Sequence, residues 1–244
     1  MEALDDYIAK FAGYGNLGAP LWFIGMEEGG GKDVLELERR VRAWAARGRL
    51  PLEDLAGFHH VIGASEYFLP PYPLQRTWRS LCRTLQAWLG SSTDTASIKN
   101  AQAHVLGAFD GKACLLELLP LPATDISSWP YVSLALEHPA LSDRTRYTAA
   151  YTRPRTEMLR ALTTRAQPIA VVFYGLRYLE SWATIAGQVL APTSIGNRMC
   201  YAGPNQRPFF VAVPHPVARG MTNDFWIALG AHIRSNTGER PVSQ

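Results

Sequence analysis

Four short apolar runs punctuate the chain, each closed by glycine, proline or a charged residue: Leu21-Trp22-Phe23-Ile24-Gly25, Ala113-Cys114-Leu115-Leu116-Glu117-Leu118-Leu119, Ile169-Ala170-Val171-Val172-Phe173-Tyr174 and Phe209-Phe210-Val211-Ala212-Val213. Runs of this length without polar alternation predict strands buried on both faces, as in a parallel sheet. Between them the apolar period lengthens. Val34, Leu37, Val41 and Trp44 fall on one helical face, with Glu36–Arg40 and Glu38–Arg42 as i,i+4 pairs on the other, which predicts a helix ending near Gly48. Trp78, Leu81, Leu85 and Trp88 predict a core-facing helix over 74–89. Further helices are expected over 2–12, around 155–165, through Tyr178, Leu179 and Trp182, and after an N-cap at Thr222 with Phe225, Trp226 and Leu229 inward.

Strands that alternate with helices predict an α/β fold, here a three-layer αβα arrangement around a central, mostly parallel four-stranded sheet. Residues 1–234 read as a single domain and 235–244 as a flexible tail. Within the domain, 49–73 has no clear period and reads as a loop-rich insertion near the site. Residues 13–20 and 197–208 read as turns, 90–96 as a polar linker and 123–148 as irregular.

Composition narrows the classes. With 47% hydrophobic and 18% charged residues the chain reads as a globular protein, and no apolar run approaches the ~20 residues that span a bilayer. Residues 1–20 carry Glu2, Asp5 and Asp6 and lack a basic start and apolar core, so a cytoplasmic location and no membrane association are expected. Cys82, Cys114 and Cys200 are widely spaced, which argues against a zinc or iron–sulfur site and against a disulfide framework. A net charge of +3 is compatible with a polyanionic partner without establishing one.

The candidate chemistry lies at the strand ends. In an open α/β sheet, polar groups beyond the carboxyl ends of the strands gather around one crevice. Glu27 and Glu28 follow the first run in a turn continued by Gly29-Gly30-Gly31, Glu117 interrupts the second, and Pro214-His215-Pro216 follows the fourth. Each has a plainer reading: the acids of the turn as helix caps, Glu117 as a salt-bridged strand residue, His215 as a satisfied core histidine. A phosphate-binding turn is disfavoured by two adjacent glutamates and by the missing Lys-Ser/Thr pair of a P-loop.

The order of these motifs resembles the uracil-DNA glycosylase superfamily over most of the chain. Gly25-Met26-Glu27-Glu28-Gly29 is similar to the family's first motif, Glu117 stands where a base-reading Asn ends the second strand, and His215-Pro216-Val217 resembles its last motif, with Arg219 at the duplex-probing position. This chain departs from the pattern in having Glu at 27, Glu28 in place of a proline, and Glu117 in place of the Asn. The resemblance implies hydrolysis of a base–deoxyribose bond after the nucleotide is flipped from double-stranded DNA, by a monomer that uses no metal and no cofactor. It assigns Glu27 to orienting water and stabilising the sugar cation, with Glu28 as the alternative acid, and His215 to donating to the base. Gly25, Met26 and Glu117 would contact the base, Tyr67 or Phe68 would stack on it, and Gly29, Gly30 and Arg219 would meet the DNA.

An ionised glutamate only accepts hydrogen bonds, so Glu117 in that form favours the exocyclic amino group of cytosine over the O4 of uracil. The base expected is therefore cytosine-type and, since removal of unmodified cytosine would destroy the host genome, one carrying a modification that 49–73 has room to admit, such as the glucosylated hydroxymethylcytosine of phage DNA. The resemblance implies a role in antiviral defence, in which some members of the superfamily serve. Repair of uracil or another deaminated base, and a non-catalytic DNA-binding role on the same fold, are the alternatives.

Overall fold

The computed structural model describes residues 2–238. Its strands are β1 (Gly13–Tyr14), β2 (Leu21–Gly25), β3 (Leu52–Glu53), β4 (Ala113–Glu117), β5 (Ala170–Tyr174), β6 (Ala191–Ile195), β7 (Arg198–Ala202) and β8 (Phe209–Val213). Its α-helices are α1 (Glu2–Lys10), α2 (Val34–Ala46), α3 (Leu55–Val61), α4 (Trp78–Leu89), α5 (Thr95–His104), α6 (Arg144–Ala166), α7 (Leu179–Ala186) and α8 (Asn223–Thr237). The strands form one sheet in the order β3-β1-β4-β2-β5-β8-β7-β6.

The four apolar runs make its centre. β4, β2, β5 and β8 are adjacent and parallel, with Gly25 opposite Glu117, Ile24 opposite Phe173 and Tyr174 opposite Val213. All five residues of β2, β5 and β8 are buried, as expected of strands covered on both faces. The expected four-stranded, mostly parallel sheet is nevertheless corrected to an eight-stranded mixed one. β1 runs antiparallel to β4 and parallel to β3, and the β6–β7 hairpin adds two antiparallel strands beyond β8. The arrangement is compatible with three layers.

The added strands escaped the apolar pattern for physical reasons. β1 and β3 have two residues each, and β6 is largely exposed and contains Pro192, as edge strands tolerate. The two-residue hairpin turn Gly196-Asn197 between β6 and β7 straddles the start of the stretch 197–208 that read as a turn, and that stretch is corrected to strand β7 over Arg198–Ala202. The segment 49–73 is also more ordered than its sequence suggests. It holds β3, α3 capped by the Asp54 carboxylate on the N–H of Gly57, and a 3-10 turn over Ser65–Phe68.

Two helices were misread. α5 begins inside the supposed linker, capped by Asp94, and buries Ile98, Ala101, Gln102 and Ala103, a face too small and polar to stand out. α6 starts at the Asp143 cap and passes through Pro154, so the expectation that it begins at 155 followed a proline rule that tertiary packing overrides. The supposed tail is helical through Thr237, and 239–244 lie outside the described residues. Cys82, Cys114 and Cys200 are buried and unpaired. No helix among the described residues is long and apolar enough to cross a membrane.

α4 and α8 pack at backbone distance: a Cβ at Gly230 would lie 2.5 Å from the carbonyl oxygen of Thr84 and 2.6 Å from Cβ of Ala87. Gly230→Val exchanges one weak helix former for another, so overpacking decides the sign. The substitution is expected to lower the unfolding free energy by about 2 to 3 kcal/mol in urea titrations.

Candidate active site

β2 lies where the chain order reverses, with β4 on one side and β5 on the other, which is where open α/β sheets leave a crevice. A cleft of about 930 Å³ opens there. It is lined by Glu27 and Glu28 after β2, Glu117 at the end of β4, Tyr174 at the end of β5 and His215 just beyond β8. Met26, Gly29, Gly30 and Tyr67 also line it. Three of the sequence candidates sit elsewhere. Phe68 is buried, its ring 5.5 Å from His59 and 5.4 Å from Trp78, as a core anchor. Arg219 is exposed on the loop after β8, and Gly25 lies beneath the site.

Glu28 is fully engaged. Its Oε2 accepts from the Tyr14 hydroxyl at 2.6 Å and from Arg40 Nη1 at 2.9 Å, and its Oε1 faces His59 Nε2 at 3.1 Å. Burial alone would raise its pKa, but Arg40, His59 and Tyr14 outweigh burial and hold it at about 2. Glu28 is thus an anion at pH 7 whose oxygens are committed to Tyr14, Arg40 and His59.

Glu27 is differently placed. One carboxylate oxygen accepts from Arg144 Nη2, while Oε2 is buried without a partner. Burial lifts its pKa above the usual carboxylate range, against the opposing pull of Arg144. Arg144 itself stands over the ring of Trp129, 6.0 Å from the centroid. Of the two glutamates, Glu27 therefore has the oxygen left to use.

His215 has a fixed tautomer. The backbone N–H of Val217 donates to its Nδ1 at 3.3 Å, so the ring proton belongs on Nε2. Burial pushes its pKa below the ordinary value, which keeps the ring neutral at pH 7. A neutral imidazole with its N–H free is a hydrogen-bond donor without a net charge.

Glu117 forms a pair with Tyr174, whose hydroxyl donates to Oε1 at 3.1 Å, while Oε2 is buried and unpartnered. The pair needs the glycine beneath it: a Cβ at Gly25 would fall 2.2 Å from the Tyr174 hydroxyl oxygen and 2.5 Å from Glu117 Oε2. Burial, reinforced by the nearby Glu28 and Glu27, raises the Glu117 pKa well above the carboxylate range. The Tyr174 hydroxyl and the neighbouring Arg155 oppose this shift without overcoming it. Arg155 is buried and spends its donors on the carbonyl oxygens of Phe11, Glu117 and Leu118 at 2.8, 2.8 and 3.1 Å. This shift favours the neutral form of Glu117, which has a donor as well as an acceptor, over the acceptor-only ion expected from the sequence.

The glycine turn offers few amides to a ligand. The Glu36 carboxylate accepts from the N–H groups of Gly31 and Lys32 at 2.9 and 3.0 Å, while Gly29 faces open space. Positive charge comes instead from exposed Lys32, Arg39, Arg76 and Arg177 around the cleft. Sequence reasoning missed Tyr174, Arg144 and Arg155, and it treated the cleft-lining Trp78 as a core residue only. Tyr174 had one legible signal, a polar tip at the last position of a buried strand. Among the described residues no three His, Cys, Asp or Glu side chains gather as a metal site. Comparison of the chain with protein-family models and with curated proteins finds no match.

Glu28→Gln removes the closest counter-charge of buried Arg40 and leaves the longer 3.7 Å contact with Glu36, so it is expected to cost about 3 kcal/mol of stability at pH 7 in denaturant titrations. The native pKa of about 2 lies below the ordinary glutamate value, so this stabilisation is complete above pH ~4.3 and is lost as pH falls toward the native value. The variant should accordingly show a flatter stability profile across that acid window.

Proposed function

We propose that the protein is a monofunctional DNA glycosylase that hydrolyses the N-glycosidic bond of a flipped-out, modified pyrimidine and leaves an abasic site. The observation that carries this reading is the meeting, in one cleft, of a carboxylate with a free oxygen, Glu27, and a neutral imidazole N–H donor, His215. Breaking the bond between C1′ and the base leaves positive charge on the sugar and sends the electron pair to the base. A carboxylate beside the sugar and a donor beside the base each stabilise that charge separation more than the ground state. Glu27 orients the water whose oxygen bonds to C1′ and takes up its proton, and His215 Nε2–H donates to the oxygen of the departing base.

The exposed cations around the cleft suit a DNA backbone, with the phosphates held at the rim and one nucleotide turned inward. Tyr67 and Trp78, whose rings meet edge to face at 5.6 Å, offer an aromatic wall for the base. The volume of about 930 Å³ leaves space beyond a bare pyrimidine, which supports a bulky modified cytosine, such as a glucosylated hydroxymethylcytosine, as the substrate. That substrate would fit a role in antiviral defence. One observation favours the repair reading: a neutral Glu117 carries both a donor and an acceptor, as an asparagine amide does, and in one of its two proton placements it can also face uracil.

The reading is tested by abasic-site formation in duplexes carrying glucosylated hydroxymethylcytosine, hydroxymethylcytosine or uracil. Glu27→Gln and His215→Ala are each expected to slow release at least about a hundredfold, and unaltered rates would remove the assigned roles. Excision requires ionised Glu27, so the rate should rise with pH through a pKa above the usual glutamate value. Arg144→Gln removes the opposing charge and is expected to move that acid limb to still higher pH.

A further inference from the structure

The two oxygens of Glu117 are not equivalent. Oε1 receives the Tyr174 hydroxyl at 3.1 Å, whereas Oε2 is buried with no partner and lies over the Cα of Gly25. The groups around the carboxyl are Tyr174 from β5, Gly25 from β2, Glu27 and Glu28 from the turn, and Arg155 from α6. Arg155 reaches the backbone oxygen of Glu117 and not its side chain. Among the described residues no cation therefore forms an ion pair with this carboxyl, and Glu27 and Glu28 are among the further carboxylates that share its cleft.

A neutral carboxyl has one carbonyl oxygen and one hydroxyl. The oxygen that accepts from Tyr174 is favoured as the carbonyl, which leaves the proton on Oε2. We propose that Tyr174 fixes the proton of Glu117 on Oε2, and that this hydroxyl donates to the acceptor nitrogen on the pairing edge of a cytosine-type base. The proposal rests on the glycosylase reading and names the substrate edge that its site selects. Cytosine carries the N3 acceptor beside the N4 amino donor, which matches Oε2–H and the remaining lone pair of Oε1. Uracil carries N3–H beside O4, so the same arrangement sets donor against donor and acceptor against acceptor. An ionised Glu117 would read only the amino group and would repel the N3 lone pair. Tyr174 is on this account a positioning residue for specificity, and the neutral acid selects cytosine for a different reason than a carboxylate would.

The test uses free bases, so that no bond need be cleaved. Binding of cytosine, 3-deazacytosine, which has C–H in place of N3, and uracil is followed by NMR titration of the wild-type protein, Glu117→Gln, Glu117→Ala and Tyr174→Phe, with thermal melts to establish that each variant is folded. Wild type should prefer cytosine over 3-deazacytosine about tenfold, the worth of one hydrogen bond. Glu117→Gln should keep this preference, because its amide offers a carbonyl to Tyr174 and an N–H at the Oε2 position, and Glu117→Ala should lose it. Tyr174→Phe lets the proton occupy either oxygen and should narrow the gap between cytosine and uracil. Equal binding of cytosine and 3-deazacytosine by wild type, a Glu117→Gln variant that behaves like Glu117→Ala, or no binding of cytosine at all would overturn the proposal. Base release from DNA accompanied by equal binding would reject this inference and leave the glycosylase reading standing. The preference observed without release from any DNA would do the reverse.

Discussion

The buried contact of Glu28 with Arg40, His59 and Tyr14 is the interaction on which the rest of the site depends. A carboxylate taken out of water is costly unless it is paired and hydrogen-bonded, and here every partner comes from a different element: α2, α3 and β1. The contact therefore ties the turn after β2 to three neighbours at once. It also fixes a negative charge at the floor of the cleft, and that charge is among the reasons Glu117 stays protonated.

From this anchor Glu28, Glu27 and Glu117, three of the glutamates that line the cleft, take three different states. Glu28 is an ionised structural group, Glu27 keeps one oxygen free beside Arg144, and Glu117 is a neutral acid held by Tyr174. Like charges crowded into one cleft would repel if all were ionised, and the fold avoids this by pairing two and protonating the third. The same division separates the chemistry from its surroundings. The floor is anionic and polar, the rim carries Lys32, Arg39, Arg76 and Arg177, and Glu36 occupies the Gly31 and Lys32 amides at the end of the glycine turn. A ligand with an anionic backbone and a neutral, hydrogen-bonding head matches that distribution.

Much of the framework could be read from local pattern. The four buried strands were found within one or two residues of their ends, since continuous apolar runs closed by turn residues have few other solutions in a chain of this size. α2, α4 and α8 were legible from their apolar stripes. The parts that were missed share one property: their stability comes from neighbours and not from their own sequence. β1 has two residues and exists because β4 and β3 flank it, α5 buries a weakly apolar face, and α6 runs through a proline.

By itself the sequence determined that Glu27, Glu28, Glu117 and His215 would gather at one edge of a parallel sheet, because strand ends and their order along the chain follow from local periodicity and connection rules. Only the tertiary structure decided what each of them is. Charge state and free valence depend on burial and on partners far away in sequence: Arg40 for Glu28, Arg144 for Glu27, Tyr174 for Glu117 and the Val217 amide for His215. Phe68 and Trp78 make the same point for the apolar residues: the sequence reading put the first against the base and the second in the core, whereas packing buries Phe68 and turns Trp78 toward the cleft.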